Sequence, residues 1–364
     1  MEIKGFRVAE STAPRPGDAA RVPVLVVRDV GDLSPFGFDL RGTLESGQCF
    51  RWRRLPDDAP RLSAASAGPR YAGVVRGRAV AASLSAGGRD LVLENGTAED
   101  FADVLLPYFD LERDYRPILQ AVAKDPFMEA ALRYGGGARL LVQEFDETLL
   151  SYLLSAQNNI PRIMGLVESL SAAYGRVLTG TAWLSSPGRA AAPDGSLFAF
   201  PTPDALAAAA ARCRGRLADC RPDALCAGAF AGYRCPYLMR TAQRLLEGGA
   251  VPSPDALRRL PAAEARAALR VLPGVGAKVA DCTLLSSGLH TEVCPVDRWV
   301  ERVVRTVYLG GDAKADAKKD TTDEVRRFVE GYFGAEAGFA QLWFFLYARS
   351  GDGLSAVGTG GAGG

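Results

Sequence analysis

The chain has 364 residues and a formal net charge of +1, so its composition shows no excess of positive charge that would indicate nucleic-acid binding. An apolar fraction of 48% can support two or three packed domains, and mean hydropathy is near zero. No apolar run reaches the roughly 18 residues of a membrane-spanning helix, and the N-terminus lacks the build of a signal peptide. Seven scattered cysteines favour a reduced intracellular setting over a disulfide framework.

Residues 1–135 are predicted to form an antiparallel β domain, because Gly, Asp and Arg-Gly-Arg breaks separate three β-branched runs. These runs are residues 22–30, 70–84 and 90–95. Among them lies FGFDLRGTLESGQCFRWRR, residues 36–54, whose alternating apolar residues also suit strands. On its own, Ser46-Gly47-Gln48 in this stretch predicts a hairpin turn without further function.

The remainder of the chain has a helical pattern, and residues 136–350 are predicted to form a second domain. FDETLLSYLLSA, residues 145–156, is an apolar helix that ends at the amide-rich segment 157–162. Those amides could cap the helix and do nothing more. Residues 175–202, rich in Gly, Ser, Pro and Ala, predict a long loop or insertion, and the Gly-rich tail 351–364 predicts disorder.

The stretch Leu-Pro-Gly-Val-Gly-Ala-Lys, residues 272–278, follows a segment rich in helix formers, 261–272, and precedes an apolar helix. Pro273 ends the first helix because it lacks an N–H and disfavours helical geometry in the preceding residue. Gly274 and Gly276 permit a tight reversal with exposed amides, a site for phosphate at a helix start. The pattern predicts a helix–hairpin–helix, whose usual partner is a nucleic-acid backbone. A tight turn without function is the alternative.

Downstream, Pro295-Val296-Asp297 precedes an amphipathic helix with apolar residues at helical spacing. Asp297 is predicted to be its N-cap, where free N–H groups favour an ionised carboxylate, and a cap without other role is the alternative. Lys278 lies beside exposed amides at a helix start, where a cation is disfavoured. A nucleophilic lysine and an anionic aspartate are the groups needed to attack a sugar C1′ and stabilise a cationic transition state.

LPGVGAKVADC followed by PVD, together with SGQCFRW, resembles the helix–hairpin–helix, Gly/Pro-rich, Asp-loop superfamily of DNA base-excision glycosylases, and in detail the 8-oxoguanine DNA glycosylases. The resemblance extends from about residue 35 to residue 349. It implies an α+β fold, with an N-terminal antiparallel sheet packed on a helical glycosylase core. It also implies a monomeric enzyme without a cofactor that acts on duplex DNA containing 8-oxoguanine, preferentially opposite cytosine. Lys278 would displace the base and form a Schiff base that permits β-elimination, and Asp297 would stabilise the cationic transition state.

The same resemblance implies how the base would be recognised. The Gly47 carbonyl would accept the N7–H that distinguishes 8-oxoguanine from guanine. In guanine, N7 carries a lone pair instead, which would face the lone pair of the carbonyl oxygen. In the last predicted helix, 337–350, Gln341 would read the Watson–Crick edge and Phe345, one turn away, would stack on the ring. Cys282 would pack against the opposite face of the base. An aromatic stripe that serves only the core is the alternative for this helix.

The resemblance also assigns residues to the DNA around the flipped base. Three would fill the vacated space and bind the orphaned cytosine, namely Gln157, Asn158 and Arg162. Tyr233 would wedge beside the flipped site and Arg234 would read the cytosine, with a buried Tyr and a surface Arg as the alternative. Gln157 stands where animal members carry Asn, which puts stringency for cytosine in doubt. Trp299 replaces a His that meets a DNA phosphate, so that contact is lost or replaced.

No metal is expected. Some relatives, such as endonuclease III, hold an iron–sulfur cluster with four cysteines, but no cysteine follows Asp297 and the spacing of the earlier four does not match. With a single histidine, His290, zinc catalysis and His-based triads are excluded. Two alternative functions remain open, a glycosylase for another lesion and a non-catalytic helix–hairpin–helix DNA-binding protein. The enzyme is expected inside the cell with DNA, in the cytoplasm and nucleoid or in the nucleus.

Overall fold

The computed structural model describes residues 1–17, 19–186, 189–212, 234–247, 249, 251–310 and 319–350. Tyr233 and the tail 351–364, both subjects of predictions above, lie outside these ranges. The fold is α+β, as predicted, with an N-terminal antiparallel sheet packed on a helical core. Each helix in these ranges falls short of the length and apolarity needed to cross a membrane.

The N-terminal sheet, within the described residues, has seven antiparallel strands in the order β1-β2-β3-β7-β6-β5-β4. The strands are β1 (Glu2–Ile3), β2 (Phe6–Pro14), β3 (Arg21–Val27), β4 (Arg53–Arg54), β5 (Ala67–Val75), β6 (Arg78–Leu84) and β7 (Leu91–Glu94). The predicted Arg-Gly-Arg break is the β5–β6 turn, where Arg76 and Gly77 have φ of 47° and 70°. Two-residue hairpins favour such positive φ values because they match the twist of the strands.

The predicted strands within residues 36–54 are mostly wrong. Leu40–Glu45 is a helix, α1, which begins because Asp39 Oδ1 accepts a hydrogen bond from Gly42 N at 2.8 Å. Two leucines one turn apart in α1 are buried, so the apolar spacing interpreted as strand alternation also satisfies a helix. Arg53–Arg54 alone in this stretch joins the sheet, as β4.

Further helices follow α1 in the chain, and a π-helical turn (Phe101–Leu105) separates the first two of them. They are α2 (Ala98–Asp100), α3 (Leu106–Tyr108), α4 (Arg116–Val122), α5 (Pro126–Gly135), α6 (Phe145–Leu154), α7 (Ile160–Tyr174), α8 (Pro203–Arg212), α9 (Cys235–Leu246), α10 (Pro254–Arg259), α11 (Ala262–Leu269), α12 (Ala277–Ser286), α13 (Arg298–Val307), α14 (Lys319–Phe333) and α15 (Ala337–Arg349). The predicted helices at 145–156 and 337–350 are thus confirmed as α6 and α15.

One apolar core joins the helices from α4 onward, whereas the buried residues of the π-helical turn and α3 pack in the core of the sheet. The helical core buries Ile118 and Met128 from α4 and α5 together with residues of α12 and α15, including Leu284 and Trp343. Helices α4 and α5 therefore pack in the helical core, although they precede the boundary predicted at residue 135. That boundary remains a prediction.

The segment 175–202 is more than the predicted loop. It contains a two-stranded sheet, β8 (Val177–Leu178) and β9 (Leu197–Phe198), and a short 3-10 helix, Ala182–Leu184. Its leucines are buried with alanines and a valine from one face of β5 and β6, while the opposite face of those strands packs in a separate core. The segment therefore covers the second face of the sheet.

Candidate active site

A cavity of about 1130 Å³ opens where the end of α1, the start of α7, α12, the start of α13 and α15 meet. The predicted site residues that line it are Gly47, Gln157, Asn158, Lys278, Cys282, Asp297, Trp299, Gln341 and Phe345. They come from five separate segments of the chain. The structure therefore brings both predicted catalytic residues and all four predicted base-binding residues to one cavity.

Lys278 is the second residue of α12, whose N-cap is Gly276. Its side chain is half-buried, and its amine forms no hydrogen bond or ion pair with any residue that the structure describes. Cys282 lies one turn further along the same helix face. Burial raises the pKa of the Cys282 thiol to about 12, against the opposing charge of Lys278, so this thiol stays neutral near pH 7. An amine without a hydrogen-bond partner among the described residues thus lies near an uncharged thiol.

Asp297 is the N-cap of α13, as predicted. Its Oδ1 accepts hydrogen bonds from the backbone N–H groups of Trp299 and Val300, each at 2.9 Å. The carboxylate therefore lies at the positive end of the helix and is held there by two backbone donors. With only Oδ1 used by the cap, the second carboxylate oxygen of this half-buried residue has no protein donor among the described residues.

A buried ion-pair network fixes α12, the helix that carries Lys278. Asp281, which is fully buried, binds the guanidinium groups of Arg266 on α11 and Arg326 on α14, the latter at 3.0 Å. Arg266 also binds Glu330 at 2.7 Å. Burial raises the pKa of the Asp281 carboxyl, and the two arginines oppose that effect. The network ties the two hairpin helices to α14, so the position of Lys278 is set by the core.

Gly47 lies in the bend that follows α1 and does not form the hairpin turn that the sequence alone predicted. Its φ is +90°, and a Cβ at this position would come within 2.5 Å of Ile160 Cδ1. The backbone conformation therefore favours glycine, and a larger residue would also displace the end of the Ile160 side chain. Within the described residues, no donor binds the Gly47 carbonyl oxygen.

The neighbouring Gln48 holds this bend in place. Its buried side chain donates to the carbonyls of Thr43 and Arg139, each at 2.9 Å, and accepts from Leu141 N at 2.8 Å. Its own carbonyl accepts from Gln143 Nε2 at 2.7 Å and from the Tyr152 hydroxyl at 3.2 Å. A polar side chain with every group paired is rigid, so the Gly47 carbonyl has a fixed direction.

Gln341 and Phe345 lie one turn apart on the cavity side of α15, and both are half-buried. The opposite side of the same helix is core, where Trp343 is fully buried and donates through Nε1 to the Ala138 carbonyl at 3.1 Å. The aromatic stripe of this helix therefore divides between the core and the cavity. The core interpretation holds for one face, and the base-binding role of the residues on the cavity face remains a prediction.

The segment 157–162 is only partly available to DNA. Gln157 is exposed, with a φ of 53° that is uncommon outside glycine and asparagine. Asn158 donates through Nδ2 to the Leu154 carbonyl at 2.8 Å, so its amide partly caps α6. Arg162 is exposed but lies outside the cavity. Asn159, rather than either neighbour, caps α7 by accepting from Arg162 N at 3.0 Å.

Arg234 is not a surface residue. It is buried, and its guanidinium donates to the Ala156 carbonyl through Nε at 3.0 Å and also through Nη2. The predicted alternative, a surface Arg, is therefore wrong for this position. Arg234 instead binds the carbonyl end of α6 next to Gln157.

The hairpin between α11 and α12 matches the predicted helix–hairpin–helix. Gly274 has a φ of +79° and is exposed, as is Gly276. A Cβ on Gly274 would lie 2.8 Å from Cγ of Tyr237, a residue of α9 that is 40% exposed. The N-cap of α12, Gly276, has no side chain, so no cap hydrogen bond binds the first amides of α12 among the described residues.

Sequence reasoning missed two residues that the structure brings to this region, Tyr237 and Arg349. Tyr237 supports the hairpin, and Arg349 lines the cavity at the end of α15. For Arg349 the signal was present, because it continues the one-turn spacing of Gln341 and Phe345. For Tyr237 there was none, since its contact with Gly274 joins segments far apart in the chain.

No group of His, Cys, Asp and Glu side chains suited to a metal ion occurs among the residues with described positions. Cys49, Cys282 and Cys294 are buried free thiols. The single histidine, His290, is buried, with Nε2 at 2.9 Å from the Leu257 carbonyl and Nδ1 at 2.8 Å from Glu292. Its ring nitrogens thus contact α10 and a residue of the segment after α12.

Residues 32–149 match the family model described as 8-oxoguanine DNA glycosylase, N-terminal domain. The chain is 28% identical over 312 residues to N-glycosylase/DNA lyase OGG1 of Arabidopsis thaliana, a match that covers 84% of this chain and 75% of that protein. It is 27% identical over 282 residues to the N-glycosylase/DNA lyase of Saccharomyces cerevisiae, covering 70% of this chain and 69% of that protein.

Solved structures resemble the chain over nearly its whole length. The apo form of Clostridium acetobutylicum 8-oxoguanine glycosylase/lyase has a TM-score of 0.72 at 28% identity, covering 94% of this chain and 99% of that one. The same protein with double-stranded DNA containing cytosine opposite 8-oxoG also has a TM-score of 0.72, over 95% and 98% of the two chains. MBOgg1 with a low affinity DNA ligand has a TM-score of 0.73 at 29% identity, over 95% and 99%. The likeness therefore includes both the sheet and the helical core.

Proposed function

We infer that this chain belongs to the 8-oxoguanine DNA glycosylase/lyase family, and it is a bifunctional enzyme of DNA base excision repair. It removes 8-oxoguanine from double-stranded DNA and nicks the strand at the resulting site. The observation that supports this function best is the cavity, which contains Lys278 and Asp297 together with the base-binding residues. An enzyme that acts on DNA works where DNA is kept, so we place it inside the cell with DNA.

The base would enter the cavity only after it leaves the duplex, because its glycosidic bond is inaccessible within the stack. Phe345 would then stack on one face of the purine, and the neutral Cys282 thiol would pack on the other. Gln341 offers both an amide donor and an amide acceptor to the Watson–Crick edge. The Gly47 carbonyl would accept the N7–H of 8-oxoguanine, and with guanine it would meet a lone pair instead.

The chemistry would begin with Lys278. Its neutral Nζ donates an electron pair to C1′, and the bond from C1′ to the base nitrogen breaks, with the electron pair and a proton going to the departing base. The sugar ring opens to give a Schiff base between Nζ and C1′. Loss of a C2′ proton then expels the 3′ phosphate and nicks the strand. The Asp297 carboxylate would stabilise the positive charge that develops on the sugar.

DNA backbone contacts would come from the hairpin. Its exposed glycines allow a phosphate to approach the free amides at the start of α12, where the helix dipole favours an anion. Trp299, which is 39% exposed at the cavity mouth, would contact the strand that carries the flipped nucleotide. A net charge of only +1 is compatible with this arrangement because these contacts are local.

Truncation of the pocket should separate base recognition from DNA binding. Phe345→Ala is expected to slow excision of 8-oxoguanine by about tenfold to a hundredfold, since stacking on one base contributes roughly 1 to 3 kcal/mol. Binding to a duplex with an abasic-site analogue should change little, because that duplex presents no base to the ring. Single-turnover excision and equilibrium binding measure the two quantities. Equal losses in both would contradict the assignment of Phe345 to the pocket.

The enzyme is expected to discriminate only weakly among the bases opposite 8-oxoguanine. Gln157 is exposed, whereas Asn158 and Arg234 already bind carbonyls at the end of α6. We expect 8-oxoguanine opposite T or G to be cut within about tenfold of the rate opposite C, a difference near 1.4 kcal/mol. Single-turnover rates on three matched duplexes test this. Discrimination of about a thousandfold, near 4 kcal/mol, would show that Gln157 serves as well as Asn.

Gln157→Asn is the matched variant for that experiment. The φ of 53° at this position suits Asn at least as well as Gln, so the substitution should not disturb the loop. If the shorter amide reads cytosine better, preference for C over T should increase in this variant. An unchanged preference would place the discrimination elsewhere.

A further inference from the structure

Arg349 lies at the rim of the cavity, on the last turn of α15. It follows Phe345 by one turn and Gln341 by two, so all three residues share one helix face. The side chain is exposed, but its guanidinium contacts other residues of the protein.

The guanidinium of Arg349 contacts both walls of the proposed base pocket. Its Nη1 donates to the Ser46 carbonyl at 3.4 Å, and its Cζ lies 5.3 Å from the centre of the Phe345 ring. The same Nη1 lies 3.9 Å from the position that a Cβ on Gly47 would occupy. Arg349 therefore spans the distance between the glycine bend and the stacking ring.

Few other groups make this connection. Gln48 is held by α1, by residues 139–143 and by α6, none of which carries the stacking ring. Among the hydrogen bonds of the described residues, the one from Arg349 to Ser46 alone joins the bend at 46–48 to α15. Gln48 and Trp343 donate to the neighbouring carbonyls of Arg139 and Ala138, so the bend and α15 share an indirect support, and Arg349 adds the direct link between them.

A guanidinium suits this position for a physical reason. It is planar, so it can lie over an aromatic ring while an N–H at its edge donates to a carbonyl. A lysine ammonium could make either contact but has no flat face to make both. The remaining N–H groups of Arg349 have no acceptor among the described residues.

We propose that Arg349 is a specificity-determining positioning residue, which fixes the Gly47 carbonyl relative to the Phe345 ring and thereby sets discrimination between 8-oxoguanine and guanine. This inference rests on the proposed function of the same cavity. Discrimination through a single N7–H depends on the angle and distance of one carbonyl acceptor. A bend that can move away from the ring would still admit a purine but would distinguish the two bases less.

The test uses full-length protein carrying Lys278→Gln, so that binding is measured without cleavage. Dissociation constants are determined for three duplexes, with 8-oxoguanine, guanine or an abasic-site analogue opposite cytosine. Adding Arg349→Ala should reduce the preference for 8-oxoguanine over guanine by about tenfold, as expected for loss of one hydrogen bond from a charged donor. Binding to the abasic-site duplex should stay within about twofold, because no base occupies the pocket.

Two further variants sharpen the result. Arg349→Lys should give an intermediate preference, because it keeps a donor and loses the planar stack. Arg133→Ala, which removes an exposed arginine of α5 outside the cavity, should leave the preference unchanged. An unchanged preference in Arg349→Ala overturns the proposal, and an equal loss on all three duplexes assigns Arg349 to a phosphate instead. If the parent protein itself binds 8-oxoguanine and guanine duplexes alike, the proposed function fails.

Discussion

Replacing Lys278 with glutamine is expected to abolish strand cleavage at 8-oxoguanine, with a loss of at least about a thousandfold in rate, as for removal of other enzymatic nucleophiles. Glutamine keeps most of the length of the side chain but has no amine to attack C1′. Duplex binding should stay within about threefold of wild type, since the hairpin amides do not depend on this side chain. Single-turnover cleavage assays and equilibrium binding measure the two effects.

Lys4→Gln is the matched control for this variant. Lys4 is an exposed lysine in the turn between β1 and β2, and its ion pair with Glu112 at 3.7 Å is exposed on both sides. The substitution removes the same charge at a position away from the cavity, so cleavage should stay at the wild-type rate. Persistent cleavage in Lys278→Gln would show that another amine is the nucleophile.

Replacing Asp297 with asparagine is expected to slow excision by about a hundredfold to a thousandfold, the usual effect of removing one preorganised electrostatic contact. Asparagine can accept the same two backbone hydrogen bonds from Trp299 and Val300, and it is a good N-cap. The fold and DNA binding should therefore be retained while the negative charge is lost. Single-turnover excision and thermal unfolding separate these effects.

The comparison with Asp297→Ala distinguishes a catalytic carboxylate from a simple cap. Alanine removes both charge and cap, at a cost of about 1 kcal/mol in the free energy of unfolding. If Asp297 only capped α13, Asp297→Asn would excise the base at nearly the wild-type rate and only the alanine variant would be impaired. Similar catalytic loss in both, with normal stability for the asparagine variant, supports the electrostatic role.

The parts of the site that the sequence predicted best are local. Asp297 caps α13, and Gly274 makes the hairpin, because each depends on a few neighbouring residues whose conformational preferences are strong. Lys278 and Cys282 share a face of α12 for the same reason, since helical spacing alone places them one turn apart.

Other features depend on contacts between distant segments and could not be predicted from spacing. The apolar spacing of Leu40–Glu45 fits both a strand and a helix, and the N-cap Asp39 favours the helix. Arg234 turns inward to a carbonyl of another helix end, a contact that no local pattern indicates. Gly47 was assigned to the pocket by resemblance to a family, and only the fold brings it to the cavity beside Lys278. The assignments of roles to these residues remain proposals.

The measurement that tests the central claim most directly is borohydride trapping of wild-type protein on a duplex containing 8-oxoguanine opposite cytosine. Borohydride reduces a Schiff base to a stable amine, so the account predicts a covalent protein–DNA product whose attachment maps to Lys278 by peptide mass spectrometry. Lys278→Gln should give no such product. Absence of a trapped species with any oxidised purine or pyrimidine would contradict an enzymatic role and favour a non-catalytic DNA-binding protein. Trapping with an oxidised pyrimidine but not with 8-oxoguanine would instead leave the nucleophile in place and contradict the lesion.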